Sequence, residues 1–363
     1  MTSSDKDCAP TNRATVGKRR LSILVDTVIT EKQNRPQRNF DGFVSTDSIG
    51  IEYLTLFRAE DDQSLEQKIK FLNTFAKRIV FFRYASLLNI ARHFWKLLRS
   101  EWVFCAPHYF WGLVMLNRVG LFPVGGKTIS CQFTRHDSFT RRLPALAKAP
   151  QEFRAYYTGR DQIKVLEERG APIGRLKFIE WRIDAKWFRP LEAPSRDYIL
   201  CPGNVHRNEQ LVMELARSTP LKVIRVGQIG ILQQLYAEHV GPNLELHLNV
   251  DHVEYLRLLQ NAAVVILPIN PCDEPAGITA ALEAVSCAVP VLANDSFGVT
   301  PLLQAAYGKE PVSSLDAAVW LEAIQATLNG QLFSASVLAE GREHILKRRA
   351  LPPEGEDWHF IFD

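Results

Sequence analysis

The chain has 363 residues, of which 46% are hydrophobic and 23% are charged; this composition excludes a disordered or fibrous protein. The length allows two domains of ordinary size, each with its own core. The net charge is only +3, but residues 1–190 carry +13 and residues 191–363 carry −10. The asymmetry indicates an anionic partner for the first half, such as phospholipid head groups, a pyrophosphate-linked acceptor or nucleic acid. The alternative is an uneven surface charge without a function.

Cysteine usage and hydrophobicity bear on where the protein works. The six cysteines form no Cys-x-x-Cys pair and no metal-ligand spacing, so we expect reduced, mostly buried thiols in a reducing compartment. They are Cys8, Cys105, Cys131, Cys201, Cys272 and Cys287. The N-terminus is polar through Arg20 and lacks the apolar region of a signal peptide. The longest apolar stretch, 102–117, falls short of the about 20 residues of a spanning helix. We therefore expect a cytoplasmic protein.

In the first half, apolar and β-branched runs predict buried strands separated by helices. We expect a disordered tail over residues 1–17, followed by a strand at 20–29. Residues 30–50 predict a long loop at the end of that strand, which is a candidate wall of an acceptor site. Further on we predict helical structure over 64–98, a strand at 102–106, a helix to about 117, a strand at 127–133, a helix over 160–169 and a strand at 176–181.

The second half alternates more regularly between strands and helices. The predicted order is strand 198–203, helix 208–217, strand 221–227, helix 229–239, strand 244–250, helix 252–261, strand 263–269, helix 278–287 and strand 289–295. Such alternation specifies a doubly wound parallel sheet. We predict an α/β protein with a first Rossmann-like domain over 18–190 and a second over 191–340. The segment 341–363 is expected to pack back on the first domain.

The first motif with chemical content is the predicted strand-to-helix turn at 201–211. Gly203 allows the backbone to approach a ligand closely. Arg207 precedes a helix start near Asn208, and its guanidinium offers a fork of donors to phosphate oxygens. The alternative is an ordinary turn that happens to contain a glycine and a basic residue.

The second motif covers residues 268–295 and is more specific. After a strand and an irregular loop, Gly277, Ile278 and Thr279 open a helix whose free N–H groups favour an anion. Glu283 lies further along this helix, where its carboxylate is placed to accept hydrogen bonds from ribose hydroxyls. The alternative is an ordinary glycine turn followed by a glutamate on a solvated helix face. Asn249 and Val250, at the end of a neighbouring predicted strand, complete the candidate donor-binding residues.

A third motif, at 181–190, gains its meaning from a resemblance. Ile183, Asp184, Phe188 and Pro190 match the pattern Val-Asp-x-x-x-Phe-x-Pro of the retaining GT-B glycosyltransferases of family 4. Residues 283–291 match the end of that family's donor-site motif. The resemblance covers about residues 127–330 and implies two Rossmann-like domains that face each other across a cleft. It also implies retention of the anomeric configuration and independence of metal ions.

The chain differs from the family pattern in two places. Glu274 stands one position further from Glu283 than the family's first acidic residue, and Pro275 occupies the expected position. The sequence is similar to a branch in which an Ala-Gly-Ile-Thr loop replaces Glu-Gly-Phe-Gly. The family's Arg and Lys pair is represented by Arg207 alone, followed by Asn208.

The resemblance also concerns the first half. The segment 132–139 is similar to the family's strand-end His-Asp, in which the histidine contacts the donor sugar across the cleft. It implies a catalytic role for His136 beside Arg207 and Glu283. The alternative for His136 is a hydrogen-bonded loop histidine without a catalytic role.

Other chemical signatures do not accompany these motifs. The one Asp-x-Asp, Asp5 to Asp7, lies in the predicted tail, so we expect no metal site and no cofactor besides the nucleotide-sugar substrate. There is no phosphate-binding P-loop and no Gly-x-Ser-x-Gly nucleophile elbow. Residues 76–102 interleave basic and aromatic side chains, which is typical of a helix at an anionic membrane interface or of a core helix with a solvated basic face. No nucleic-acid module is present, and we expect no nucleic-acid partner.

Together these features predict a glycosyltransferase that transfers a sugar from a nucleoside diphosphate to a hydroxyl acceptor. The acceptor is expected to be a glycan or a lipid-linked molecule of polysaccharide or glycolipid synthesis. Two alternatives stay open on the sequence. One is a non-catalytic protein of the same fold that binds a nucleotide sugar or a partner enzyme, and the other is a nucleotide-sugar epimerase.

Overall fold

The computed structural model describes residues 19–27, 49–57, 89–105, 107–132, 140–227, 242–272 and 275–350. Its first half forms a six-stranded parallel sheet in the order β2-β1-β3-β4-β5-β6. The strands are β1 Arg19–Thr27, β2 Ile49–Phe57, β3 Trp102–Cys105, β4 Thr128–Gln132, β5 Phe153–Tyr157 and β6 Leu176–Phe178. The helices described with them are α1 Phe94–Arg99, α2 Pro107–Arg118 and α3 Gln162–Glu168, with 3₁₀ turns at Thr140–Lys148 and Ile173–Arg175.

The second half forms a five-stranded parallel sheet in the order β11-β10-β7-β8-β9. The strands are β7 Tyr198–Pro202, β8 Lys222–Gly227, β9 Leu244–Leu248, β10 Val264–Leu267 and β11 Val291–Ala293. The described helices are α4 Glu209–Ser218, α5 His252–Asn261, α6 Ile278–Ser286, α7 Val299–Tyr307, α8 Ala317–Leu328 and α9 Ala335–Arg348. All four residues of β10 are buried, as expected for a central parallel strand covered on both faces.

The strand order places the ligand-binding edge of each sheet. In the second sheet the chain runs outward from β7 through β8 to β9 and then returns to β10 on the other side of β7. Ligands of doubly wound sheets bind outside the carboxyl ends of the strands at such a reversal. The carboxyl ends of β7 and β10 carry the two motifs at 201–211 and 268–277. The predicted α/β fold with two Rossmann-like domains is therefore confirmed.

Each sheet has its own core of buried apolar side chains. The cluster around the first sheet includes Phe110 and Phe153, and the cluster around the second includes Leu200 and Trp320. Cys105, Cys131, Cys201 and Cys287 are buried, and Cys272 is half-buried. Burial raises the pKa of the Cys105, Cys201 and Cys287 thiols, so these groups stay protonated and inert.

Several segments differ from the sequence prediction. β2 begins at Ile49, at the end of the segment predicted as a loop, and β5 was not predicted at all. The predicted boundary at 340 falls inside α9, which packs against α6 and α7. The whole helix therefore covers the second sheet, and the other domain boundaries stay predictions.

The end of the described chain returns to the first half. The amide of Ile183 donates to the carbonyl of Arg349 at 2.8 Å, and residues 183 and 350 form a parallel bridge. Arg182 Nη1 donates to the carbonyl of Ala350 at 3.2 Å. The predicted tail 1–17, the helix 229–239, most of the segment 64–98 and residues 351–363 lie outside the described residues. No helix in the described part of the chain is long and apolar enough to cross a bilayer.

Candidate functional site

The turn between β7 and α4 brings the backbone of Gly203 against a guanidinium. Gly203 has φ +103°, a conformation that side chains rarely adopt. A Cβ atom at this position would lie 2.7 Å from Nη2 of Arg207. Its amide donates to the carbonyl of Val226 at 3.1 Å, which fixes the turn to the end of β8. Position 203 therefore requires glycine for two reasons, the positive φ of the backbone and the guanidinium of Arg207 in the space that a side chain would occupy.

Arg207 is the central basic group of this turn. The residue is only 6% exposed, and burial lowers the pKa of the guanidinium. Nε donates to the carbonyl of Pro202 at 2.9 Å and Nη1 donates to the carbonyl of Val205 at 3.0 Å. Nη1 also lies 3.7 Å from the position that a Cβ atom of Gly277 would take. The guanidinium therefore lies between the two glycine turns predicted to meet a diphosphate.

A second buried guanidinium, that of Arg225, stabilises the strands and the helix that flank this turn. Arg225 is fully buried on β8 and forms a two-point ion pair with Glu209, at 2.6 and 2.9 Å. It also donates to the carbonyls of Cys201 and Val226. Its positive charge further lowers the pKa of Arg207, and Arg207 has no carboxylate ion pair among the described residues. The site therefore holds positive charge that an anion would neutralise.

Asn208 has a structural role in this arrangement. Its side-chain oxygen accepts from the amide of Leu211 at 3.0 Å and so caps α4. Its own amide donates to the carbonyl of Pro268 at 2.8 Å, which ties the start of α4 to the end of β10. The side chain predicted to bind the donor is therefore engaged in holding the two ligand-facing loops together.

The loop after β10 leads into the buried helix α6. Gly277 is its N-cap residue, Ile278 is buried, and Thr279 is half-buried. Glu283 is only 8% exposed, so the alternative of a solvated helix face is wrong. Its Oε2 accepts from the hydroxyl of Tyr255 at 2.7 Å. A buried carboxylate on the helix that starts at the glycine turn is well placed to recognise hydroxyl groups.

Tyr255, on α5, connects the two charged residues and was missed in the sequence. Burial and the negative charge of Glu283 raise its pKa well above the usual value, while Arg207 lowers it. The hydroxyl therefore stays a neutral donor to Glu283. Nothing in the helical pattern of 252–261 distinguishes Tyr255 from an ordinary core tyrosine. Arg225 did leave a signal, because it is a charged residue that interrupts the apolar run of Val223, Ile224 and Val226.

The remaining predicted residues lie elsewhere or outside the described chain. Asn249 adopts φ +55°, and its amide donates to the carbonyl of Gly227 at 2.9 Å, so it marks the carboxyl ends of β9 and β8. Val250 follows it and is half-buried against the core. Both are on the outer side of β8 from Gly203. His136 and Glu274 lie outside the described residues. The structure thus brings together Gly203, Arg207, Gly277 and, through Tyr255, Glu283.

Comparison with solved structures agrees with this architecture. Anabaena HepE, solved in complex with UDP and glucose, superposes with a TM-score of 0.62 over 92% of this chain and 96% of its own, at 11% sequence identity. Sucrose-phosphate synthase from Thermosynechococcus elongatus gives a TM-score of 0.62 over 92% of this chain and 95% of its own, at 13% identity. Trehalose-6-phosphate synthase OtsA gives 0.57 over 94% and 98%, at 10% identity.

These likenesses cover 92–94% of the chain and therefore include both sheets. The chain therefore has the GT-B fold, in which two Rossmann-like domains face each other. No family model and no curated protein sequence matches the chain.

Proposed function

We propose that the protein is a glycosyltransferase that transfers a sugar from a nucleoside diphosphate to a hydroxyl acceptor. The observation that carries the proposal is the Arg207 guanidinium, buried between the turns of Gly203 and Gly277 at the reversal of the second sheet. A diphosphate leaving group gains charge during glycosyl transfer. Fixed guanidinium and helix N-terminal donors stabilise such charge without reorganisation.

In this proposal each part of the donor meets a different group. The diphosphate lies at the start of α6, beside Gly277 and Arg207. The ribose hydroxyls bind Glu283, whose carboxylate is already held by Tyr255. The sugar then projects across the cleft toward the first domain, where His136 is proposed to contact it. Retention of configuration and independence of metal ions, which the family resemblance implies, belong to the same proposal.

The test is binding of UDP, measured by titration calorimetry. Arg207→Ala and Glu283→Ala are each expected to weaken UDP by about tenfold or more, because each removes a charge-assisted hydrogen bond worth about 1.5–3 kcal/mol. Arg257→Ala is the matched control, since Arg257 is exposed and pairs with Glu254 on α5. Unchanged UDP titrations with both site variants would place the nucleotide elsewhere and overturn the proposal.

Turnover separates the enzyme from its alternatives. The proposed metal-independent glycosyltransferase is expected to transfer sugar from a bound donor and to continue to do so in EDTA. The reason is that the N-terminus of α6 and the guanidinium of Arg207 supply the positive charge that a metal ion would otherwise provide. Donor binding without any transfer or hydrolysis would instead favour the non-catalytic alternative. Conversion of the donor sugar in the absence of acceptor would favour an epimerase.

For the acceptor we propose a glycan or a lipid-linked molecule reached from an anionic membrane surface on the cytoplasmic side. The support is an exposed patch on α1, α2 and the turn after α2. It contains four apolar side chains that are 50–72% exposed, namely Trp95, Met115, Val119 and Leu121. The basic residues Lys96, Arg99 and Arg118 are exposed on the same elements, and Arg92 is exposed just before α1. Such a mixture favours insertion at a charged interface.

A further inference from the structure

Where the two domains meet, the carboxylate of Asp161 caps a helix of the opposite domain. Both oxygens of Asp161, just before α3, accept from the amide of Gly298 at 3.2 and 3.3 Å. Gly298 is the N-cap of α7 and has φ +75°. A carboxylate at a helix start is favoured by the unpaired amides and by the helix dipole. Asp161 does not cap its own helix, so this group serves the contact between the domains.

The same contact encloses the loop that leads into α6. A Cβ atom at Gly159 would lie 3.3 Å from Cβ of Pro275, and one at Gly298 would lie 3.5 Å from it. Pro275 therefore lies between one glycine from each domain. A Cβ atom at Gly298 would also overlap Cδ1 of Ile278. The segment 159–162 therefore lies against the loop that leads into α6.

In this segment Gln162 is a buried amide that has no hydrogen-bond partner among the described residues. The residue is fully buried at the start of α3, and within the part of the chain that the structure describes neither Nε2 nor Oε1 forms a hydrogen bond. Its Cβ lies 3.5 Å from the position that a Cβ atom of Gly159 would take, next to the contact with Pro275. An unsatisfied buried amide carries a cost in folding free energy. A group with this cost is expected where a ligand supplies the missing partners.

We propose that the side-chain amide of Gln162 binds hydroxyls of the donor's sugar and that the Asp161 to Gly298 contact holds it against the loop that leads into α6. This inference rests on the proposed function. The amide offers two donors and one acceptor, which match the mixed character of sugar hydroxyls. The diphosphate lies at the second domain, so a bound sugar extends from α6 toward the segment 159–162. Gln162 is then a sugar-recognising residue contributed by the first domain.

The experiment compares UDP and UDP-glucose as probes. We expect the wild type to bind UDP-glucose more tightly than UDP. Gln162→Met removes both polar atoms and keeps an unbranched side chain of similar length. It is expected to reduce the UDP-glucose affinity by about tenfold, the equivalent of one to two hydrogen bonds, and to leave UDP unchanged. Asp161→Asn is expected to reduce the same preference for UDP-glucose, because the contact with Gly298 weakens.

Stability of the ligand-free protein gives a second readout. Because Gln162→Met removes unsatisfied polar atoms from a buried position, its unfolding temperature without ligand is expected to rise or stay constant. Gln210→Met is the matched control, since Gln210 is exposed on α4 and bonds Glu214. It should leave both affinities unchanged.

Three results would overturn the inference. The first is equal affinity of the wild type for UDP and UDP-glucose, and the second is an unchanged preference for UDP-glucose in Gln162→Met. The third is an equal loss of affinity for both probes in that variant, which would mean that Gln162 has only a structural role. In all three cases the wild type still binds UDP. If the wild type does not bind UDP, the proposed function itself fails.

Discussion

Two side chains of opposite charge, Arg207 and Glu283, are buried at the same end of the second sheet. Tyr255 interacts with both. Burying a carboxylate and a guanidinium is costly. The arrangement is favourable once a ligand takes up both charges, with anionic oxygens toward Arg207 and hydroxyls toward Glu283.

Replacing Tyr255 by phenylalanine tests the link between these residues. The variant leaves Oε2 of Glu283 without its 2.7 Å donor, and the carboxylate loses its fixed orientation. UDP affinity is expected to fall about threefold to tenfold, since a hydrogen bond to a charged group is worth about 1.5–3 kcal/mol and part of it is regained by rearrangement. The measurement is titration calorimetry, with circular dichroism to confirm the fold.

The control for this prediction is Tyr198→Phe. Tyr198 begins β7, at the end opposite Gly203, and its hydroxyl donates to the carbonyl of Leu258 at 2.7 Å. Partial burial raises the pKa of Tyr198 to about 12, so its hydroxyl is also a neutral donor. Losing it should reduce stability and leave the UDP affinity unchanged. Equal effects of the two substitutions would mean that Tyr255 acts on the fold and not on the site.

At the residue scale, the sequence predicts which residues lie at the candidate site more readily than it predicts which atoms they contact. Gly203 and Gly277 were identified because their positions between strand and helix require close backbone approach. The sequence also marked Asn208, but it could not distinguish a ligand contact from a helix cap, because asparagine serves both through the same side-chain oxygen. Tyr255 carried no signal, because its significance arises only when α5 packs beside α6.

Among the connecting elements, the β7–α4 turn gives a sharp test of how the backbone determines binding. Gly203→Ala places a Cβ atom 2.7 Å from Nη2 of Arg207, so the guanidinium must move. We expect a loss of roughly 1 kcal/mol or more of stability from the positive φ. We also expect at least tenfold weaker UDP binding, because Arg207 contributes a charge-assisted bond worth about 1.5–3 kcal/mol. Chemical denaturation and calorimetry measure the two effects.

Gly308→Ala isolates the backbone contribution. Gly308 ends α7 with φ +62°, and a Cβ atom there would meet nothing within 4 Å. This variant should lose a similar amount of stability to the positive φ and keep its UDP affinity. A Gly203→Ala protein that binds UDP normally would show that Arg207 is not a ligand of the nucleotide.

At the element scale, the second sheet was predicted closely and the first was not. Apolar strands alternating with amphipathic helices are unambiguous, and the predicted helix over 252–261 has the bounds of α5. β5 was missed because the five residues of Phe153–Tyr157 include an exposed arginine and two tyrosines, and are too short for a clear period. β2 was missed because its neighbours in sequence are polar, while its pairing with β1 is decided by the sheet.

For the whole molecule, the charge division and the exposed apolar patch lead to a prediction about membranes. Wild-type protein should co-sediment with anionic vesicles at low salt, since each basic residue near the surface contributes about 1 kcal/mol. Binding should weaken at high salt, because the Debye length falls from about 10 Å at 0.1 M to about 3 Å at 1 M. The variant Arg92→Glu/Lys96→Glu/Arg99→Glu should lose this binding.

Two further measurements make this result specific. Trp95→Ser removes the most exposed apolar side chain of the patch, at 72%, and should weaken vesicle binding without changing the charge. Lys309→Glu, in the second half of the chain, alters charge away from the patch and should have little effect. If wild-type protein ignores anionic vesicles at low salt, the membrane proposal should be dropped.

The bridge between residues 183 and 350 has a consequence for how the molecule can be divided. The part of the chain that forms the second sheet begins and ends at neighbouring points, so its two junctions with the rest of the protein, near residues 183 and 350, lie side by side. A segment with adjacent ends is suited to exchange between proteins as one cassette, or to circular permutation, without distortion of its fold. A cassette cut at 340 would instead lose the part of α9 that holds Gly341 and Ile345, both buried. Recombination with other proteins of this architecture is therefore best made at these two adjacent junctions, where the proposed diphosphate and ribose contacts would be exchanged together, while Gln162 would stay with the first domain.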